Sequence, residues 1–114
     1  MRFKQGLLLL SAVVAGLLLT ACEEASISKI KNDPAHYNNR TVVVDGRVTN
    51  SFGAIVAGVY EIEDPTGKIF VISNGGVPSK GARVAVKGKV MNGVTVMGRN
   101  YGTAIRESDH RVLR

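Results

Sequence analysis

The sequence predicts an all-β domain, a five-stranded Greek-key barrel behind a short helical lead-in, and three observations carry that prediction. From Thr41 onward, β-rich segments follow one another, each bounded by Gly, Pro or Asn turn signals. Two of these segments, residues 42–48 and 84–90, share the layout V-x-V-x-G-x-V. No helical stretch alternates with the strands, which removes the βαβ pattern of a parallel sheet.

Ahead of the strands, SISKIKNDPAHYNNR reads as short helical turns. Ile27 and Ile30 stand three apart and share a helix face. Asp33-Pro34 restarts a helix, with Asp as N-cap and Pro in the first helical position. Asn38-Asn39 favours a turn. Strands are expected near 41–50, 58–64, 67–73, 82–91 and 94–106. An apolar, glycine-bearing loop over residues 50–57 joins the first two. EDPTGK, with Pro65 and Gly67, suits a tight hairpin between the second and third. SNGGVPSKGA carries Asn74-Gly75-Gly76, Pro78 and Gly81 and reads as a loop. Asn92-Gly93 is a strong two-residue hairpin signal and predicts the last turn.

The repeated glycine needs a reason, because glycine weakens a strand by roughly 0.5–1 kcal/mol. Gly46 and Gly88 have the inward parity of their neighbouring valines. In a small closed barrel each strand coils sharply, and an inward position near a bend has no room for a side chain. Closing the barrel and burying the flanking valines then offsets the cost. Five strands of this length, two with a central kink, suit the barrel called the OB fold, in which the first and fourth strands are neighbours.

Residues 27–106 resemble the small bacterial OB-fold proteins grouped as tRNA-anticodon-binding-like, many of which are exported or lipid-anchored. The likeness is carried by NDPAHYNNRTVVVDGRV, EDPTGK and PSKGARVAVKGKV. Many OB folds place a helix between the third and fourth strands. Residues 74–81 are too short and glycine-rich for one, so the lead-in helix is expected to cover the barrel end instead.

The N-terminus has a different character. Arg2 and Lys4 precede GLLLLSAVVAGLLLT, an uncharged run shorter than the ~20 residues of a membrane span. A basic start, an apolar run and small residues at its end make residues 1–21 a secretory signal. LTAC, Leu19 to Cys22, resembles the lipobox of bacterial lipoproteins. That resemblance implies that the Cys22 thiol carries a diacylglyceryl group and that the signal is cut just before it. Glu23 follows, rather than the aspartate of inner-membrane retention, which implies an outer-membrane anchor facing the periplasm. Cys22 is the sole cysteine, so no intrachain disulfide forms. Residues 22–26 are the anchor and a short linker, which holds the domain within ~18 Å of the lipid surface. Residues 107–114 are expected as a C-terminal tail.

Without Arg2 and Lys4 the chain has 13 basic and 9 acidic residues, a mild excess that permits anionic partners without demanding them. Catalysis is not expected. His36 and His110 are far apart in sequence, and no H-x-H, C-x-x-C or H-E-x-x-H spacing offers a metal site. Glu61 and Glu63 share a strand face, but alternation with Tyr60 and Ile62 makes that face the solvated side. No cofactor is implied. Gly75-Gly76 lacks the lysine-hydroxyl ending of a phosphate loop.

A binding module is therefore the first reading: a membrane-anchored envelope protein with membrane lipid on Cys22. Arg47, Arg83, Lys87 and Lys89 point outward and form one positive wall if their strands pair. Such a wall suits an anionic headgroup, a glycan or an acidic envelope protein; a plain solvated face is the alternative. The second reading is an oligonucleotide- or oligosaccharide-binding domain that uses the second and third strands and the loop 50–57, with Phe52 and Tyr101 as exposed platforms. Glu61, Glu63 and the exported location disfavour nucleic acid.

Overall fold

In the computed structural model the chain runs through a two-residue strand, two short helices and five long strands. These are β1 (Glu23–Glu24), α1 (Ile27–Asn32), α2 (Pro34–Tyr37), β2 (Thr41–Gly53), β3 (Gly58–Asp64), β4 (Gly67–Ser73), β5 (Arg83–Val96) and β6 (Arg99–Leu113). The structure describes residues 22–53 and 58–113; the expected signal, residues 1–21, and the tip of the first loop, residues 54–57, lie outside the described residues. The long strands pair in the order β2-β3-β4-β6-β5, and β5 returns to β2 to close the barrel. All pairings among them are antiparallel except β4–β6, which is parallel over Phe70–Ile72 and Ala104–Arg106. This is the strand order of an OB barrel, with the first and fourth long strands as neighbours, as the repeated motif predicts.

The helical lead-in is held by the β3–β4 hairpin. The first three N–H groups of a helix have no partner inside it. Here Ile27 N donates to Asp64 Oδ2 at 2.9 Å, Ser28 N to Thr66 Oγ1 at 3.0 Å and Lys29 N to the N-cap Ser26 Oγ at 3.4 Å. Burial pushes the Asp64 carboxyl up. The bonds it accepts from Ile27, Thr66 and Gly67 outweigh that push and hold it below the usual carboxylate range. Asp33 does occupy the N-cap position of α2, with Pro34 behind it, but its side chain makes no capping bond. Ile27 and Ile30 are fully buried and close one end of the barrel, as expected of the lead-in.

The barrel interior is filled. Val42, Val44, Val48, Tyr60, Ile62, Ile69, Val71, Val84, Val86, Val90 and Ile105 form one core cluster with Ile27, Ile30 and Tyr37. All six patterned valines of the two V-x-V-x-G-x-V motifs are in it. The two glycines lie where neighbouring backbone comes close. β2 pairs with β5 through residue 47 and with β3 from residue 47 on. At that handover a Cβ on Gly46 would stand 3.0 Å from the Glu63 carbonyl oxygen and 3.1 Å from Ile62 Cβ. The next turn of β2 carries a bulge at Thr49, between the pairs Val48–Ile62 and Asn50–Glu61. Gly88 faces a second bulge, at Ser108 of β6, between the pairs Lys87–Asp109 and Gly88–Glu107.

Three sequence expectations are corrected. Asn92-Gly93 is not the hairpin turn. β5 continues to Val96, and the chain reverses at Met97-Gly98, with φ of 51° and 80°. Gly93, at φ 67°, forms a bulge inside β5 instead. Residues 107–113 are not a tail but the second half of β6, paired with Arg83–Gly88 of β5. Residues 50–53, expected in a loop, continue β2 and pair with Gly58–Glu61.

Candidate binding surfaces

Beside the Ser108 bulge one carboxylate gathers three strands. Glu107 of β6 has a side chain only 8% exposed. Its Oε2 accepts from Ser73 Oγ of β4 at 2.8 Å; its Oε1 accepts from the Tyr60 hydroxyl of β3 and lies 2.7 Å from His110 Nδ1. A carboxylate oxygen at this distance can accept from the ring nitrogen. Burial, followed by the bond to Glu107 and its negative charge, pushes the Tyr60 hydroxyl far above its ordinary value. A serine nucleophile needs a base at its proton. Ser73 meets a carboxylate already occupied by two other donors, and its hydroxyl touches no imidazole. The arrangement is a buried, satisfied latch between β3, β4 and β6. Sequence reasoning missed it, although Glu107 shares the parity of buried Ile105, and a charge at an inward position was the available signal.

A second apolar cluster lies outside the barrel. Val59, Ile72, Val94 and Ala104 are buried together, with Phe70, Met91, Val96 and Tyr101 packed against them. Tyr101 sits edge-on to Phe70 at 4.9 Å, and the Arg99 guanidinium carbon lies 5.4 Å from the Tyr101 ring centre. Lys31, Glu61, Lys68, Phe70, Tyr101 and Thr103 line a shallow groove beside this pair. Phe52, paired with Val59, is 49% exposed; Tyr101 is half-buried. The two aromatic candidates thus border one apolar face, but Tyr101 is committed to Phe70. Glu63 stays exposed beside Lys68, at 3.5 Å, whereas Glu61 is half-buried and accepts from Thr49 Oγ1 at 2.7 Å.

The four predicted basic residues do share one outer wall. Arg47 is the direct partner of Arg83, Val43 of Lys87 and Thr41 of Lys89. Arg47 is partly used, because its Nη1 donates to the Gly81 carbonyl at 2.9 Å. β6 extends the wall with residues the sequence reading did not include: Arg106 opposite Lys89, Asp109 opposite Lys87 and Arg111 opposite Ala85. Their place on the wall follows from the extension of β6 to Leu113 and from the register that sets Arg106 opposite Lys89, neither of which a local pattern specifies.

Cys22 stands at the edge of the same sheet. Glu23 and Glu24 pair parallel with Val42 and Val43, and Ala25 N donates to the Val43 carbonyl at 3.1 Å. The expected linker is therefore taken up largely by β1. Among the described residues no three metal-binding side chains gather, and no helix is long and apolar enough to cross a membrane.

No family model and no curated protein sequence matches the chain. Solved structures do. The chain is similar to the asparaginyl-tRNA synthetase of Pyrococcus horikoshii, with a TM-score of 0.61 and 16% identity over 79% of this chain and 23% of that one. The same synthetase complexed with asparaginyl-adenylate gives a TM-score of 0.57 and 16% identity over 69% and 20%. A protein of Leishmania major Friedlin assigned as an aspartyl-tRNA synthetase gives 0.64 and 8% over 90% and 25%. The chain spans about a quarter of the length of these structures. At such identities the likeness is one of fold, and it matches what the strand order gives independently: this domain is an OB-type barrel.

Proposed function

We propose that this chain is a membrane-anchored envelope lipoprotein whose OB barrel is a non-catalytic binding module working at the membrane face. The observation that carries the reading is β1. Its two residues tie the chain to the barrel immediately after Cys22, so a lipid on that thiol would leave the domain no spacer. The signal-like run before Cys22 and the lipobox resemblance supply the anchor. The filled interior and the satisfied Glu107 cluster leave binding to the outer surfaces.

The test is the mass of the mature N-terminus after expression of the full chain in a bacterium with an outer membrane. The expected product begins at Cys22 and carries a diacylglyceryl group; Cys22→Ser leaves the chain unlipidated and releases it from the membrane fraction. A product still beginning at Met1, or a free Cys22 thiol, refutes the anchor.

A second reading, binding of single-stranded nucleic acid or glycan on the β3–β4 side, is favoured by the Phe70–Tyr101 pair with Lys31 and Lys68 beside it. Titration with oligonucleotides and glycan fragments, reading shifts residue by residue, separates it from the first.

A further inference from the structure

We infer that the outer face of β5 and β6 is a docking surface for anionic phospholipid headgroups, which lays the barrel against the bilayer beside Cys22. The inference deepens the proposed function and rests on it for the position of the anchor. Five cations project from this face: Arg83, Lys87 and Lys89 from β5, and Arg106 and Arg111 from β6. All are exposed, and Asp109 is the one exposed carboxylate on these outward positions. Among the described residues, Lys68–Glu63 is the only Lys or Arg ion pair, and it lies on β3–β4. Asp109, the direct partner of Lys87, offsets one of the five cations, and the outward positions keep a clear positive excess. Cations on adjacent strands destabilise a sheet unless something outside it balances them.

Protection of an exposed sheet edge does not explain the β5 charges. Lysine serves that purpose on edge strands. β5 is hydrogen-bonded on both sides over Arg83–Lys89, to β2 and to β6, and has no edge there. Nucleic acid is a poorer occupant, because single-strand binding needs aromatic platforms among the cations. Phe70 and Tyr101 pack in the β3–β4 cluster, Phe52 pairs with Val59, and Tyr37 and Tyr60 are buried. Headgroup phosphates need only charge at close approach.

The register sets the distance to the anchor. Glu23 pairs with Val42, so Cys22 falls beside Thr41; Thr41 pairs with Lys89, and Lys89 with Arg106. Three strand spacings of ~4.8 Å put Arg106 about 14 Å from Cys22 along one row. Toward the β1 side of the same sheet the outward row carries Glu24 and Asp45 against Arg47. The excess of cations is thus confined to the β5–β6 flank, which turns that flank toward a negative surface.

Among the described residues every buried apolar core side chain lies between residues 27 and 105, so a chain starting at residue 22 with Cys22→Ser keeps all of them. Its co-sedimentation is measured with phosphatidylcholine vesicles, with and without phosphatidylglycerol. We expect retention only on the phosphatidylglycerol vesicles, weakened by salt on the scale of the ~8–10 Å screening length. Lys89→Ala and Arg106→Ala each weaken it about fivefold, the value of one cation near an anionic surface, while Lys29→Ala, at an exposed position on α1, leaves it unchanged. Equal retention on neutral vesicles, or none on either, overturns the proposal. So does binding of a single-stranded oligonucleotide through Lys89 and Arg106 without vesicle retention. The probe carries no lipid, so this result and the N-terminal mass fail independently.

Discussion

The backbone of β6 at Arg106 passes directly over Gly88 of β5. A Cβ on Gly88 would overlap the Arg106 carbonyl oxygen and would stand 2.8 Å from both its carbonyl carbon and Ile105 Cγ2. The obstruction is mostly backbone, so no rotamer change relieves it. At Gly46 the added carbon would meet the Glu63 carbonyl oxygen at 3.0 Å, a contact that a shift of a few tenths of an ångström would ease. Overpacking costs about 1–3 kcal/mol. Gly88→Ala is expected near or above the top of that range and Gly46→Ala near the bottom, by denaturant unfolding. Equal and small losses would mean that strand curvature, not the crossing of β6, selects these glycines.

Glu107 joins three strands, so removing its donors one at a time should show a shared effect. Hydrogen bonds to a charged group contribute about 1.5–3 kcal/mol. Tyr60→Phe and Ser73→Ala are each expected to destabilise by roughly 1–3 kcal/mol, and the double variant by an amount that differs from the sum. Strict additivity in a double-mutant cycle would show that the carboxylate does not couple β3 to β4.

Asp64 links acid to the lead-in helix. Its folded-state pKa lies below the ordinary carboxyl value, so the stability it contributes is complete above that ordinary value. That stability is lost as pH falls through the depressed value. Amide exchange at Ile27 and Ser28, corrected for intrinsic rates, should therefore accelerate on acidification below about pH 4. In Asp64→Ala the acceleration disappears; the helix is weaker near neutral pH by about 0.5–2 kcal/mol, the range for a lost cap, and the difference from the native chain closes in acid. An unchanged acid response in that variant would assign the effect to another group.

The ribbon end gives a sharper contrast. Gly98 holds φ 80° in the β5–β6 turn, and a non-glycine residue there costs about 1–2 kcal/mol. Asn92 bonds the Pro34 carbonyl through Nδ2 and accepts from Thr103 Oγ1, both at 3.1 Å, so it ties the ribbon to α2. Gly98→Ala should lower stability by roughly 1 kcal/mol, and Asn92→Ala should loosen the contact with α2 without moving the turn. Backbone chemical shifts that relocate the reversal to residues 92–93 would contradict this.

What was legible in the sequence follows from the range of the forces involved. β3 and β4 run over the expected residues because EDPTGK fixes its turn locally and alternation fixes the rest. The pairing of β2 with β5 was readable because both strands carry the same valine and glycine pattern. Asn92-Gly93 misled because a local turn preference was overridden by Met97-Gly98, which lets Val94 reach the cluster on the outer face. The Glu107 latch and the contributions of Arg106 and Arg111 depend on which residue of β6 meets which residue of β5. A one-residue bulge at Ser108 sets that register, and no local pattern announces it.

The parallel seam between β4 and β6 is only three residue pairs long, the shortest closure in the barrel. Breathing of the cylinder should begin there. Once parted, Phe70–Ile72 and Ala104–Arg106 would offer bare main-chain edges flanked by apolar side chains, the template on which a neighbouring copy adds a strand. The hydroxyls of Tyr60 and Ser73 grip Glu107 at the end of that seam and so hold these two edges together.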